Sequence, residues 1–277
     1  MKTLPLSQTF AFDGEAIAWD ALGDPGAPPL VLVHGWPFSS QVWRRIAPWL
    51  ARRRRVFWFD MLGYGRSMPD GDRDVSLGVQ NRVLGAALDH WGLSRPHVLA
   101  HDFGGATTLR AHLVDGRDFA SLTLIDPVAM RPWGSPFVAH VREHEAAFAG
   151  LPDYAHEALV RVYLQAAAAQ PLTERAHTLY AEPWLGETGK AAFYRQIAQM
   201  DQIWTDPVQA ALGEVACPVQ LLWGAKDALI PLSTGRALAD MMPACRLEVI
   251  EEAGHLVQED APEAVLAAMA EPMQAAA

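Results

Sequence analysis

Apolar and polar positions along the chain follow two rhythms. In the first, short apolar runs alternate with longer segments of helical period, the signature of strands and helices in turn. Residues 9–12 and 16–21 flank Asp13-Gly14 and predict an opening hairpin. Leu30-Val31-Leu32-Val33 and Val56-Phe57-Trp58-Phe59 are unbroken apolar runs, the kind a strand buried on both faces needs. Between them the pattern predicts a helix capped by Ser39 and running through Leu50. A helix over 76–91 stopped by Gly92, a strand over 96–100, a helix over 104–112 and a strand over 121–125 continue the alternation.

The second rhythm runs from about 128 to 212. Helical periodicity there, over 137–148, 154–169, 172–180 and 189–203, comes without a convincing strand. Alternation then resumes with a strand over 219–223, a helix over 232–241, a strand over 246–250 and a helix over 262–269. Strand, helix and strand in series imply a parallel sheet joined by right-handed crossovers. The expected architecture is α/β. A mostly parallel sheet flanked by helices is assigned to 1–127 and 213–277, with a helical cap, 128–212, inserted over the strand C-terminal ends. Open α/β sheets bind ligands at those ends.

Composition narrows the function. A chain of 277 residues with 51% hydrophobic and 19% charged residues suits a globular core, and its net charge of -10 argues against binding nucleic acid or acidic membranes. The basic run from Arg52 to Arg55 reads as a solvated helix end. The start has no apolar run of signal-peptide length, and no stretch reaches the roughly 20 apolar residues of a membrane span, so a cytoplasmic location without membrane contact is expected. Cys217 and Cys245 have neither metal nor redox spacing and are expected to be reduced. No cofactor is expected; the partner is a small-molecule substrate, and the protein a monomer or homodimer.

Candidate chemistry concentrates at His101-Asp102-Phe103-Gly104-Gly105, which falls between a predicted strand and a predicted helix. In the nucleophile elbow Gly-x-Ser-x-Gly, small residues relieve a sharp turn that lifts the reactive side chain above the sheet. Here Ala100 stands for the first Gly and Asp102 for the Ser. An ionised carboxylate needs no base to activate it and can displace a leaving group at saturated carbon. The alternative is an Asp that merely caps the following helix.

Four motifs in order, His34-Gly35-Trp36-Pro37, Asp60 to Ser67, His101 to Gly105, and Gly254-His255, together with the helical insertion, resemble the α/β-hydrolase superfamily. The resemblance is narrower to its aspartate-nucleophile branch of epoxide hydrolases, haloalkane dehalogenases and fluoroacetate dehalogenases. It implies that Asp102 forms an alkyl-enzyme ester, that His255 activates water to hydrolyse it, and that the backbone N–H groups of Trp36 and Phe103 form the oxyanion hole. The acid orienting His255 is Asp227 in that comparison, as in epoxide hydrolases, with Asp126 as the alternative position. Epoxide hydrolases protonate the departing alkoxide with two cap tyrosines. Tyr194 best matches one of them, with Tyr154 or Tyr163 as its partner. His34 and Trp184 complete the expected substrate contacts.

The motifs favour an epoxide hydrolase acting on a neutral, apolar epoxide. Haloalkane dehalogenation is the alternative, although the usual halide donors are replaced by Phe103 and Trp36, with Trp133, Trp184 or Trp204 as substitutes. Fluoroacetate-type chemistry requires cations near the nucleophile, where this chain has Phe103 and Ala106; Arg131, Arg142 and Arg195 are the remaining sources. Two readings from other classes are a zinc peptidase, from His140-Val141-Arg142-Glu143-His144, and a non-catalytic ligand receptor on the same scaffold.

Overall fold

The computed structural model describes residues 2–69 and 71–270. At its centre is an eight-stranded sheet of β1 (Gln8–Phe12), β2 (Glu15–Leu22), β3 (Pro29–Val33), β4 (Arg55–Phe59), β5 (His97–His101), β6 (Ser121–Ile125), β7 (Val219–Gly224) and β8 (Cys245–Ile250). Their spatial order is β1-β2-β4-β3-β5-β6-β7-β8. The hairpin β1-β2 turns at Asp13 and Gly14, both at positive φ, and β2 pairs antiparallel with β4. From β4 to β8 every neighbouring pair is parallel.

The apolar runs become the inner strands because helices cover both faces of a parallel sheet. Leu30, Val31, Leu32 and Val33 are fully buried, as are Leu99, Leu124 and Leu221 on neighbouring strands. Helix α2 (Leu77–Trp91) closes at Gly92 in the left-handed region (φ 68°) and packs on α3 (Phe103–Leu113). The single helix expected over 39–50 is instead a 3-10 turn, Ser40–Trp43, followed by α1 (Ala47–Leu50). Pro48 has no N–H to continue a helical ladder through this stretch, so the chain restarts with Pro48 in the first turn.

Between β6 and β7 the described chain is helical: α4 (Pro136–Glu143), α5 (Glu145–Ala149), α6 (Asp153–Ala166), α7 (Glu174–Ala181), α8 (Gly186–Ala198) and α9 (Asp206–Ala211). The helix expected over 137–148 divides at His144, whose φ of -130° is not helical, and the one expected over 189–203 ends at Ala198. Three helices follow: α10 (Leu232–Met241), α11 (Val257–Asp260), which the sequence pattern did not suggest, and α12 (Pro262–Ala270). Residues 271–277 of the expected core segment lie outside the described residues. Among the described residues no helix is long and apolar enough to cross a membrane.

Candidate active site

Strand ends deliver the site. Trp36 follows β3, Asp102 follows β5, Asp126 follows β6, Asp227 follows β7 and His255 follows β8, all at C-terminal ends. The ladder fixes their level: His101 pairs with Ile125, Asp102 N–H donates to Ile125 O (3.1 Å) and Asp126 N–H to Leu222 O (3.1 Å).

Asp102 sits at φ 51°, ψ -117°, a conformation that costs a non-glycine residue about 1–3 kcal/mol. Small neighbours make the turn possible. A Cβ on Gly104 would run into Val33 O and His34 O, and one on Gly35 into the Asp102 side chain itself. The Asp102 side chain does not cap α3. Its Oδ2 accepts the Trp36 N–H at 2.8 Å, and the Phe103 N–H faces the carboxylate and favours its charge. Oδ1 lies 3.6 Å from His255 Nε2, an ionic contact longer than a hydrogen bond. Burial opposes ionisation of Asp102, but His255, His101 and the Phe103 N–H outweigh it and hold the carboxyl below its ordinary range.

His255 is 2% exposed, and its Nδ1 lies 2.8 Å from Asp227 Oδ2. Asp227 is held in turn: its Oδ1 accepts the N–H groups of Leu229 (2.7 Å) and Ile230 (2.9 Å). Burial alone would lower the His255 pKa, yet Asp227 and Asp102 together raise it well above the usual histidine value. Asp126, the alternative acid, is near His255 without bonding it. Its Oδ1 accepts the Gly224 N–H (3.0 Å), its Oδ2 is buried with no partner, and burial followed by the Asp227 charge raises its pKa well above the carboxylate range. Asp126, Asp227 and His255 place one donor atom each within 4.8 Å of one another, and both oxygens of Asp227 are engaged in hydrogen bonds within the site.

His101 is a residue that motif reading quoted and left without a role. Its Nε2 donates to His255 O (2.9 Å), so it supports the base from behind. Burial, then repulsion from His255, pushes its pKa down to about 3 and keeps it neutral.

A cavity of about 50 Å³ opens against Asp102, Phe103, Trp36 and His255 and is lined on its other side by Val138 of α4, Tyr163 of α6, and Trp133 and Met200 of the adjoining loops. Tyr163 is packed between Trp36 and Phe137, with ring centroids 5.1 and 5.2 Å away. Burial and the nearby Asp102 charge raise its phenol pKa, opposed by a hydrogen bond with Ser135. The Trp36 indole N–H is buried and unpartnered, whereas that of Trp133 donates to Thr205 Oγ1 (2.8 Å).

Four expected contacts fall elsewhere. Tyr194 does not line this cavity: it is buried inside the helical region with its hydroxyl 2.9 Å from His156 Nδ1, and burial raises its pKa to about 12. Tyr154 is 79% exposed because its face of α6 turns to solvent. Trp184 is buried, but its indole N–H donates to Pro37 O (2.7 Å). His34 is buried behind the site, its Nδ1 donating to Gly35 O (3.0 Å) and its Nε2 accepting the Met61 N–H (2.9 Å). The arginines that were candidates for gripping a carboxylate are also committed: Arg131 pairs with Asp206, Arg142 with Asp201 and Arg195 with Asp72. His140 and His144 are exposed and, among the described residues, find no third metal-ligating group.

The sequence matches the protein family described as "alpha/beta hydrolase fold" over residues 28–262. The chain belongs to that family. An alpha/beta hydrolase fold protein from Burkholderia ambifaria has a crystal structure that superposes with a TM-score of 0.93 at 58% identity, covering 97% of this chain and 98% of that one. Haloalkane dehalogenase DbeA from Bradyrhizobium elkani superposes with a TM-score of 0.78 at 23% identity, covering 95% of each chain, a likeness of fold. The dihydrolipoyllysine-residue acetyltransferase component of an acetoin cleaving system from Pseudomonas putida is 31% identical over 94% of this chain and 67% of its own length. This α/β hydrolase thus shares its scaffold with proteins named for different activities, and the site's own chemistry has to choose among them.

Proposed function

We propose that this α/β hydrolase opens small, neutral epoxides through a covalent ester on Asp102. One observation carries the reading: Asp102 has one carboxylate oxygen on the Trp36 N–H and the other beside His255 Nε2, with the Phe103 N–H facing the same carboxylate. In that arrangement the second oxygen bonds to a substrate carbon as the ring C–O bond breaks. The departing oxygen takes the Tyr163 proton, which solvent later replaces. Water then adds to the ester carbonyl carbon and His255 Nε2 accepts its proton. The ester C–O bond breaks, the alcohol leaves with that proton, and the Asp102 carboxylic acid so formed releases the water's second proton to solvent, which balances the one returned to Tyr163 and restores the carboxylate. During this second step the two N–H groups face the oxyanion, where loss of one donor typically costs about 10²–10³ in rate.

Burial and the Asp102 charge keep the Tyr163 phenol protonated, so its proton is present when the departing oxygen forms. The cavity lining holds no lysine or arginine, which disfavours a carboxylate substrate. Its volume is about a third of the roughly 150 Å³ that admits benzene, so it takes the reacting end of a substrate and little more. The helices from α4 to α9 serve as the cap in this reading. A second reading, halide expulsion from a small haloalkane, is favoured by the unpartnered Trp36 indole N–H, a ready halide donor.

The test uses His255→Ala, which retains the nucleophile and lacks the base. Incubated with 1,2-epoxypropane and separately with 1-bromopropane, it is expected to gain the mass of the whole epoxide on Asp102. Gain of a propyl group alone would select the halide reading, and no adduct from either would overturn the covalent route.

A further inference from the structure

Both neighbours of His255 are tied to one short segment, the exit of α6, Leu256 directly and Gly254 through Asp260. Leu256 N–H donates to Ala167 O at 2.8 Å. Gly254 N–H donates to Asp260 Oδ2 at 2.8 Å, and the same oxygen accepts the Ala169 N–H at 2.8 Å. Asp260 Oδ1 accepts the Gln170 N–H at 3.1 Å. One carboxylate therefore joins the loop of the base to the chain leaving α6. The two backbones are in close contact there: a Cβ on Gly254 would lie 2.8 Å from Ala169 N and 3.1 Å from Ala167 O.

The same helix presents Tyr163 to the cavity one turn before this junction. Tyr163 is held by its own packing between Trp36 and Phe137, so the junction bears on the base rather than on the proton donor. We propose that Asp260 is a positioning residue that holds the His255 backbone against the cap, so that ester hydrolysis depends on it while ester formation does not. This rests on the covalent reading above. Asp102 is held for the first step by Trp36 and Phe103, which Asp260 does not touch. His255 moves a proton only in the second step, when water adds to the ester carbonyl, and a displacement of about 1 Å there can cost about 10²-fold.

The experiment compares Asp260→Ala and Asp260→Asn with the unaltered chain, using 1,2-epoxypropane, rapid mixing and intact mass. In Asp260→Ala, ester formation is expected within about twofold of the parent rate, with ester hydrolysis slower by about 10–100-fold and adduct accumulating on Asp102 during turnover. Asp260→Asn, which keeps one acceptor oxygen, is expected to recover part of the hydrolysis rate. Thermal unfolding checks that each variant is folded; if the alanine variant is not, the ratio of the two rates in the asparagine variant decides. Parent-like hydrolysis, or equal slowing of both steps, overturns the role. Adduct in His255→Ala but none in Asp260→Ala overturns it alone, whereas no adduct in His255→Ala removes the covalent reading and this role together.

Discussion

The two walls of the cavity were shaped by different rules. On the sheet wall, Asp102, Asp227, His255 and Trp36 all follow strands, and a strand has its register set by its neighbours' hydrogen bonds. On the helical wall, Tyr163 faces the cavity while Tyr194, Tyr154 and Trp184 do not. A residue added to a strand end moves along a fixed line. A residue on a helix turns by about 100° for each step, so which side chain meets the cavity depends on how that helix is rolled against its neighbours.

The sharpest way to strike at this contrast is at the sheet wall. Asp102→Asn is expected to lower epoxide turnover by at least about 10⁴-fold, because an amide cannot form the ester and removal of a nucleophile removes the whole covalent path. Steady-state kinetics with 1,2-epoxypropane would show it; turnover within tenfold of the parent would take the nucleophile away from Asp102.

On the helical wall the expected effect is smaller and unequal. Tyr163→Phe is expected to reduce the rate of ester formation by about 10²-fold, the scale of a lost general acid. Tyr194→Phe is expected to leave that rate within about twofold, since its hydroxyl serves His156 within the helical layer. Its cost belongs in stability, about 1 kcal/mol for a buried hydrogen bond. Presteady-state rates and thermal unfolding of both variants separate the two, and the reverse order of effects would mean that the cap turns differently in turnover.

The smallest effect sharpens the contrast within the sheet wall, between its two acids. Asp126 has a pKa raised in the folded state, so as pH climbs past the unfolded value near 3.8 the unfolded chain ionises first and stability falls up to the folded pKa. Asp126→Asn removes that loss. Its melting temperature is expected to exceed the parent's by about 2–3 °C at pH 7, as about 1 kcal/mol does in a large domain, with the gain vanishing near pH 4. A melting temperature that falls at pH 7 would show that Asp126 is ionised and bonded.

The same contrast explains what could be read in one dimension. Strands announce themselves by apolar runs, and Asp102 is marked by a turn motif that only small residues permit. The site residues following those strands were named from the motifs at their ends and the family resemblance those motifs carry. That resemblance favoured Asp227 over Asp126, and the loop after β7 supplies a physical reason, because the N–H groups of Leu229 and Ile230 hold one oxygen of Asp227 while the other bonds His255. Tyr194 was favoured over Tyr163 by its place before the acid-bearing strand, a linear argument that carries no information about helix roll. Val138 and Met200 carried no signal beyond being apolar, and Trp133 only that of an indole able to hold halide, since their place at the cavity depends on how the chain between β6 and β7 folds over Asp102. The break in the helix expected over 39–50 was open to the sequence, because Pro48 lies within it.

The crowding behind Asp102 bears on how such an enzyme changes over generations. With Gly35 pressed against Asp102, Gly104 against Val33 and His34, and Gly105 against Pro127, the rear of the site leaves no room for a side chain, and a substitution there shifts the turn that carries Asp102. Variation is freer at the front, where Val138 and Met200 line the cavity from the helical region between β6 and β7. A change of substrate range is therefore expected to come through the helical region, with the strand-end residues kept.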